Sequence, residues 1–342
     1  DTLDFTLQHR FGIGERNDVI WGLGYRFING KVAPTSAFIL IPDSTFDQQL
    51  FSAFVQDEIQ LVPDKLTLTV GTKLEHNDYT GFEIQPSLQL VFKPAEKHTL
   101  WASVSRAVRM PSVLEAGSAF NIFYGAPIVG PGGGLYVPTL VGNPDVASER
   151  LWAYEAGWRV QPTARVSVDV ALFYNNYQDL ITVGDVSNFV PGVPVGSAEI
   201  PWSNDSSGWT YGGEASVTVS PTDNWRLTAA YSLLIAHVEG LEPFAENSER
   251  SAPKNQISLR SAYDFSRRIS LDGQLRYVDP ILGVPAYLTA DLRLSYRPND
   301  HLEFALVGQN LFDPQHPEQA TAAFVTTSEV PRGFYGKITW TF

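Results

Sequence analysis

The sequence predicts an all-β protein, an antiparallel up-and-down transmembrane β-barrel of about fifteen strands. Three observations predict it. Apolar and polar residues alternate with period two along almost the whole chain, whereas helical periodicity is hard to find. Tight turns alternate with longer loops, as in a barrel with turns on one rim and loops on the other. Charged residues gather on the parity opposite the aromatic residues, and a lipid-facing exterior requires this because a charge facing midplane lipid costs ~2–4 kcal/mol.

The last strand, 332–342, shows the two-faced pattern most clearly. One parity is apolar and aromatic, and the other is polar. The apolar parity consists of Phe334, Gly336, Ile338, Trp340 and Phe342. In a membrane barrel this face would meet lipid.

Further strands are predicted wherever the alternation recurs. In order they are 2–11, 18–28, 50–61, 66–75, 82–93, 98–108, 152–160, 166–174, 213–219, 225–238, 257–265, 269–277, 288–296 and 302–309. Tight turns are expected at 12–17, 62–65, 77–78, 94–97, 161–163, 221–223, 266–268 and 298–300. The pattern vanishes over 110–147, which is expected to be a structureless functional loop. Other loops are expected at 184–207, 239–253 and 312–329.

The interior face of the barrel is predicted from the charged parity. Its members are Lys73, Glu83, Glu155, Arg159, Asp169, Arg260, Asp272, Arg276, Asp291, Arg293, Glu303 and Lys337. Tyr, Trp and Phe gather at strand ends, as in an interfacial girdle. A large soluble β-sandwich would also alternate, but it rarely sustains the pattern through fifteen hairpin-linked strands.

Composition narrows the function. The 342 residues carry a net charge of −13, which argues against nucleic acid as a partner. Cysteine is absent, so neither disulfides nor thiolate metal sites contribute. No apolar run approaches the roughly 18 residues of a membrane helix. No signal peptide is visible, and the one Met is Met110.

The order of turns and loops places the two chain ends on opposite sides. Short turns face the periplasm in outer-membrane barrels, so Phe342 would lie in the periplasm and Asp1 outside. A native barrel has an even strand number with both ends in the periplasm. We therefore expect residues 1–342 to be a partial barrel domain, with strands and a further domain upstream of Asp1.

Several stretches resemble TonB-dependent outer-membrane receptors. They are FSAFVQDEIQLVPDKLTLTVGTKLEHN at 51–77, LWASVSRAVRMPSVLE at 100–115, VGNPDVASERLWAYEAGWRV at 141–160, VSVDVALFYNNYQDLI at 166–181, VGQNLFD at 307–313 and the terminal GFYGKITWTF. The resemblance covers nearly all of the chain. It implies a barrel of about 22 strands with an amino-terminal plug, of which neither the plug nor a TonB box is visible here.

The resemblance also implies a function in the bacterial outer membrane. The intact protein would be a receptor for energy-coupled uptake of a scarce nutrient, such as a ferric siderophore or cobalamin. Its partners would be outer-membrane lipid, the TonB energy-transducing complex acting through the plug, and the outer-membrane assembly machinery. The last would read Trp340 and Phe342 as an assembly signal.

Candidate ligand-binding residues lie in the 110–147 loop and at its root. Phe120, Phe123, Tyr124 and Tyr136 offer flat apolar contacts, and Arg109 shares parity with lumen-facing serines. The alternative is that these aromatics pack the loop on itself and that Arg109 pairs with carboxylates. Arg106 is a charged residue on the otherwise apolar, lipid-facing parity. It therefore marks a strand end, a bulge or a contact with lipid phosphate.

No catalytic constellation, cofactor motif or metal site is expected, so the protein is not predicted to be an enzyme. The six His residues show no ligand spacing, and GPGGGL at 130–135 lacks the Lys-Ser/Thr of a phosphate loop and is expected to be flexible. Two other functions stay open: a passive porin-like channel of about 16 strands, and a soluble β-rich adhesin. Because the terminal strand would be an open edge, the isolated chain is expected to aggregate without detergent.

Overall fold

The computed structural model describes residues 1–32, 39–40, 44–117, 121–123, 126–242, 244–319 and 328–342. Fifteen long strands form one continuous antiparallel sheet, which confirms the predicted fold class and strand number. They are β1 (Thr2–Ile13), β2 (Asn17–Val32), β4 (Ser44–Val62), β5 (Leu66–Asn77), β6 (Gly81–Ala95), β7 (His98–Arg109), β11 (Glu149–Thr163), β12 (Val166–Val183), β14 (Gly196–Thr222), β15 (Trp225–Glu239), β16 (Asn255–Asp264), β17 (Ile269–Val278), β18 (Tyr287–Asn299), β19 (Leu302–Gln309) and β22 (Gly333–Trp340).

Shorter elements lie in the connections. They are β3 (Ile39–Leu40), β8 (Asn121–Phe123), β9 (Ile128–Val129), β10 (Leu135–Val141), β13 (Asn188–Val190), β20 (Gln315–Pro317), β21 (Glu329–Pro331), the helices α1 (Val113–Ala116) and α2 (Phe244–Glu249), and a 3₁₀ turn at Pro131–Gly133. None of the helices in the described part of the chain is long and apolar enough to cross a membrane.

Each long strand pairs with the next long strand along the chain, so the sheet is a meander. Within the described residues β1 pairs with β2 and β22 pairs with β19, and no pairing joins β1 to β22. The sheet is therefore open at both edges. Its connections leave two rims: a turn rim with 14–16, 63–65, 96–97, 164–165, 223–224, 265–268 and 300–301, and a loop rim with 33–43, 78–80, 110–148, 184–195, 240–254, 279–286 and 310–332.

The two faces of the sheet differ as the alternation predicts. One face exposes large apolar side chains along every long strand, for example Phe5, Leu88, Leu172, Leu259 and Leu306. The other face carries cross-strand ion pairs, for which β-pairing brings opposite charges together. Arg159 lies opposite Asp169, and Arg293 lies opposite Asp272 with a separation of 3.1 Å. The apolar face is thus the lipid-facing exterior, and the ion-paired face lines the lumen.

The tight turn expected at 77–78 is present at 78–80, where the side chain of Asn77 accepts hydrogen bonds from the backbone N–H groups of Tyr79 and Thr80. It lies on the loop rim, so the expected alternation of tight turns and longer loops is broken there. Two expectations about the loops are wrong. Strand β14 begins at Gly196, so 196–207 is strand and not loop. The 110–147 segment holds α1, β8, β9 and β10 and is not structureless.

The Gly-rich stretch at 130–135 is also ordered. It closes a hairpin between β9 and β10, in which Gly130 donates to the carbonyl of Gly134 at 2.9 Å. Gly132 and Gly133 take positive φ of 72° and 76°, which glycine adopts without a Cβ penalty. These glycines therefore shape a tight turn, and the expectation of a flexible loop is wrong.

Candidate functional site

The root of the 110–148 connection is fixed by one arginine between two carboxylates. Arg109, the last residue of β7, binds Glu149 through Nε to Oε2 at 2.7 Å and Nη2 to Oε1 at 2.8 Å. It also binds Glu115 of α1 through Nη2 to Oε1 at 3.0 Å. Such bidentate pairing is specific to the planar guanidinium. Arg109 thus ties α1 to the start of β11.

Helix α1 is short, and residues at its own amino-terminal end cap it. Ser112 and Glu115 form a capping box: the Ser112 backbone donates to Glu115 Oε2 at 2.6 Å, and the Glu115 backbone donates to Ser112 Oγ at 3.3 Å. Burial raises the pKa of Glu115, but hydrogen bonds from Arg109 and Ser112 outweigh it and hold the pKa below its usual range. The carboxylate therefore stays charged beside Arg109 at neutral pH.

Asparagines hold the rest of this connection against the barrel. Asn143 donates through Nδ2 to the carbonyl of Trp202 at 2.8 Å. Asn204 bonds both backbone groups of Ala147, accepting at 2.7 Å and donating at 3.1 Å. Asn side chains suit this task because one amide both accepts and donates. The 142–148 segment is therefore bound to β14, although no local sequence pattern relates the two.

Outside the main sheet, short strands form a second small sheet, here called the external sheet. It comprises β3, β8, β9, β10, β13 and the first residues of β14. Strand β10 pairs in parallel with β14, from Tyr136 opposite Gly196 to Val141 opposite Pro201. Leu140 and Ile200 of this sheet form a buried apolar cluster with Val183 of β12. The loop rim thus carries a layer that packs against the end of a barrel strand.

Tyr136 is a structural residue of the external sheet. Its side chain is 8% exposed and meets the ring of Phe189 edge-on, with 5.0 Å between ring centres. A Cβ on Gly130 or on Gly196 would lie 2.6 Å from this ring, so glycine is needed on both sides. The sequence leaves open that this aromatic residue packs the loop on itself, and the observed contacts of Tyr136 agree with that alternative.

The other predicted ligand-binding residues are only partly described. Phe120 and Tyr124 lie outside the described residues, as does the side chain of Phe123, whose backbone belongs to β8. The structure therefore brings Arg109 and Tyr136 into the same rim but assigns each to protein contacts. Sequence reasoning missed Glu115 and Glu149. The Ser112 to Glu115 spacing was a readable capping signal for the first.

Arg106, the arginine on the lipid-facing parity, marks the end of the β6–β7 ladder. Pairing between these strands stops at Ser87, next to Pro86, which has no N–H to donate. The guanidinium of Arg106 fills the gap by donating to the carbonyl of Ile84 and lying 3.7 Å from Glu83. Its charge is thus compensated within the protein.

The lumen wall contains a hollow of about 490 Å³. It lies across β12 to β17, and its polar lining includes Asp169, Glu214, Ser232, Gln256, Gln274 and Arg276. A depression of similar volume on the exterior, near Phe51 and Leu74, is almost wholly apolar and faces lipid. Among the described residues, no group of His, Asp and Glu has the arrangement of a metal site.

The predicted assembly signal lies at the free edge of the sheet. Trp340 is 70% exposed, Phe342 is fully exposed, and their rings stack with 6.3 Å between centres. Trp340 lies on the lipid-facing parity of β22, and Phe342 follows two residues after the strand ends. Their placement leaves this aromatic pair accessible on the exterior of the sheet.

Comparison with known proteins agrees with this architecture. The family described as TonB dependent receptor-like, beta-barrel matches residues 1–311. An iron-regulated outer membrane virulence protein of Vibrio cholerae is 23% identical over 279 residues, covering 78% of this chain and 41% of the relative. The ferric enterobactin receptor of Pseudomonas aeruginosa is 24% identical over 328 residues, covering 87% and 43%. The chain therefore spans under half the length of these relatives.

Solved structures show the same fold. The siderophore receptor PirA of Acinetobacter baumannii superposes with a TM-score of 0.81 at 18% identity, covering all of this chain and 55% of that chain. The copper transporter OprC superposes with a TM-score of 0.70 at 16% identity, so the fold alone does not fix the cargo. With the family match over most of its length, the chain belongs to the TonB dependent receptor-like β-barrel family of the outer membrane.

Proposed function

We propose that the protein carrying this chain is an outer-membrane receptor for energy-coupled uptake of a ferric siderophore. The observation that carries the proposal is the family match over residues 1–311, together with relatives named as iron-regulated and ferric enterobactin receptors. Among the substrates expected from the sequence, these names favour ferric siderophores over cobalamin. They also favour a receptor over a passive porin.

The packing seen in the described part of the loop rim supports a receptor. A passive pore needs only a water-filled lumen, whereas here the connections build a packed external sheet over the rim. Arg109 and the asparagines hold this layer to the barrel. A rigid framework that supports exposed loops is a common basis for ligand capture.

The contributions of the predicted site residues remain proposals. Phe120, Phe123 and Tyr124 are proposed to touch the ligand directly, because aromatic faces suit the apolar surface of a chelate. Arg109 and Tyr136 are proposed to contribute by position, since their side chains are engaged in protein contacts. Coupling to the TonB complex through a plug, and reading of Trp340 and Phe342 by the assembly machinery, are likewise proposals.

Deletion of the full-length gene tests the uptake function. Uptake of radiolabelled ferric iron supplied as siderophore complexes should fall in the deletion strain and return on complementation. Dissipating the proton-motive force should abolish the complemented uptake, because a TonB-dependent step requires energy. Uptake that persists without the proton-motive force would support the porin alternative, and unchanged uptake of every complex in the deletion strain would contradict the proposal.

A further inference from the structure

The two rims of the barrel differ in charge. The connections of the loop rim contain twelve Asp and Glu against three Lys and Arg, a net charge of −9. The connections of the turn rim contain five Asp and Glu against six Lys and Arg, a net charge of +1. The negative charge of the chain is thus concentrated on the side from which a ligand enters. A cleft surrounded by one sign of charge repels ions of that sign and slows their association.

Most arginines near the loop rim are paired with carboxylates and therefore offset little of this field for a ligand. Arg109 is paired with two carboxylates, and four further arginines have one carboxylate partner each within the described residues. These are Arg106 with Glu83, Arg150 with Asp179, Arg250 with Glu246, and Arg276 with Glu318. Arg332 donates to the backbone carbonyl of Asn310 at 3.4 Å. At the five arginines that are paired with carboxylates, an anionic ligand would have to displace a bound carboxylate from each guanidinium. Their fork-shaped donors are therefore already occupied.

The external sheet provides the complementary observation. Residues 116–144 and 186–198 contain no charged residue at all. Apolar side chains stand exposed at their tips, with Val129 at 73%, Leu135 at 50% and Val193 fully exposed. Within the described residues of this sheet the charged side chain is Glu199, which accepts a hydrogen bond from Asn188 Nδ2 at 3.0 Å. Exposed apolar groups on a layer with so little charge favour a ligand whose own surface is apolar and uncharged.

We infer that the loop rim selects ferric chelates of zero or positive net charge and discriminates against trianionic ones. This inference rests on the proposed siderophore function and specifies its substrate class. Three dianionic catecholates around Fe³⁺ give a trianion, whereas three monoanionic hydroxamates give a neutral complex. The negative rim repels the trianion and does not repel the neutral complex, which can also lie against the exposed apolar side chains of the external sheet. The chain would thus differ in chelate charge from the relatives named as catecholate siderophore receptors.

Stopped-flow binding to the full-length receptor in detergent tests the selection. The probes are a neutral ferric tris-hydroxamate and a trianionic ferric tris-catecholate. At low ionic strength the neutral chelate should associate at least roughly tenfold faster than the trianion. Raising the salt from about 20 to about 300 mM should speed the trianion by screening and leave the neutral chelate unchanged.

A matched pair of triple variants isolates the field of the loop rim. Asp145→Asn, Asp185→Asn and Glu329→Gln remove three loop-rim charges and should raise the association rate of the trianion roughly threefold. Glu15→Gln, Glu96→Gln and Asp300→Asn remove the same charge from the turn rim and should leave that rate unchanged. All six residues lie in connections and outside the ion pairs of the described residues.

The outcomes separate the inference from the proposed function. Faster binding of the trianion, slowing of the trianion by salt, or equal effects of the two triple variants would overturn the charge selection. Each of these results would leave the siderophore function standing. Binding of neither chelate would contradict the proposed function and the inference together.

Discussion

The guanidinium of Arg109 and the carboxylate of Glu149 meet side by side, with two hydrogen bonds of 2.7 and 2.8 Å. The same Glu149 accepts the backbone N–H of Ile181 at 2.9 Å, so the pair links β7, β11 and β12 at the loop rim. Glu115 completes the cluster from α1. A single arginine therefore couples the order of the 110–117 segment to three barrel strands.

Replacement of Arg109 by lysine should loosen α1 without unfolding the barrel. Lysine keeps the charge but lacks the fork that binds two carboxylates at once. Because the Arg109 side chain is 48% exposed, the expected loss is only about 1 kcal/mol of local stability. Hydrogen exchange of residues 113–117 in the full-length protein measures it.

Arg159→Lys is the matched control for this substitution. Arg159 pairs with one carboxylate, Asp169; Arg159 is more exposed than Arg109, and Asp169 is more exposed than Glu115 and Glu149. Its replacement should leave exchange in α1 unchanged. Equal protection of α1 in wild type and Arg109→Lys would show that the capping box alone holds the helix.

The order of α1 should also depend on pH through Glu115. Its pKa is held below the ordinary value of 4.5, so its ionised form is favoured in the folded state. A depressed pKa contributes stability that is present above the unfolded value and is lost as the pH falls through the folded one. Protection of 113–117 should therefore be constant above about pH 5 and fall below about pH 4.5. In the Glu115→Gln variant, the loss of protection at low pH should disappear. If it were unchanged, another titrating group would be responsible for it.

The barrel could be predicted from the sequence because its signal is local. Lipid on one side and ion-paired lumen on the other force alternation within each strand, and hairpin turns such as 63–65 and 223–224 link neighbours directly. The fifteen strands follow from these two features alone.

The external sheet could not be predicted in the same way. Its parallel pairing joins Tyr136 to Gly196, residues sixty positions apart, and no short-range pattern specifies such a partner. The cluster around Arg109 likewise depends on Glu149. The alternation in the sequence predicts that this strand begins at residue 152, so Glu149 lies outside the predicted strand. A capping signal at Ser112 and Glu115 was present in the sequence, but a four-residue helix gives no periodicity to confirm it.

Removal of the Tyr136 ring should open the external sheet. Tyr136→Ala leaves a cavity between Gly130, Gly196 and Phe189 and should cost about 3 kcal/mol of local stability. Tyr136→Phe should be nearly neutral, because the hydroxyl makes one long hydrogen bond of 3.5 Å to the carbonyl of Pro131. Hydrogen exchange at 135–141 and 196–201 reports the change, with β16 as the internal reference. Equal exchange in the Ala and Phe variants would rule out a packing role for the ring.

A charge on the exterior of the barrel should cost far more than the same charge in the lumen. Leu88 and its neighbour Gln89 lie in the middle of β6 on opposite faces. Leu88→Arg should lower the free energy of unfolding by ~2–4 kcal/mol in lipid vesicles, since the guanidinium would face hydrocarbon. Gln89→Arg, which faces the solvated lumen opposite Thr69, should change it by no more than about 0.5 kcal/mol. The reverse ranking would invert the assignment of the two faces.

The aromatic end of the chain should matter for assembly more than for stability. Trp340 and Phe342 stack on the exterior of the sheet, and the Phe342 side chain is fully exposed, so its loss removes little packing. Phe342→Ala should therefore reduce the amount of full-length protein recovered in the outer membrane several-fold. Phe334→Ala is the matched control, because Phe334 lies on the same strand and face and is 72% exposed. Quantitative immunoblotting of outer-membrane fractions compares the two variants. A similar loss for both would mean that apolar area on β22, and not the terminal residue, determines assembly.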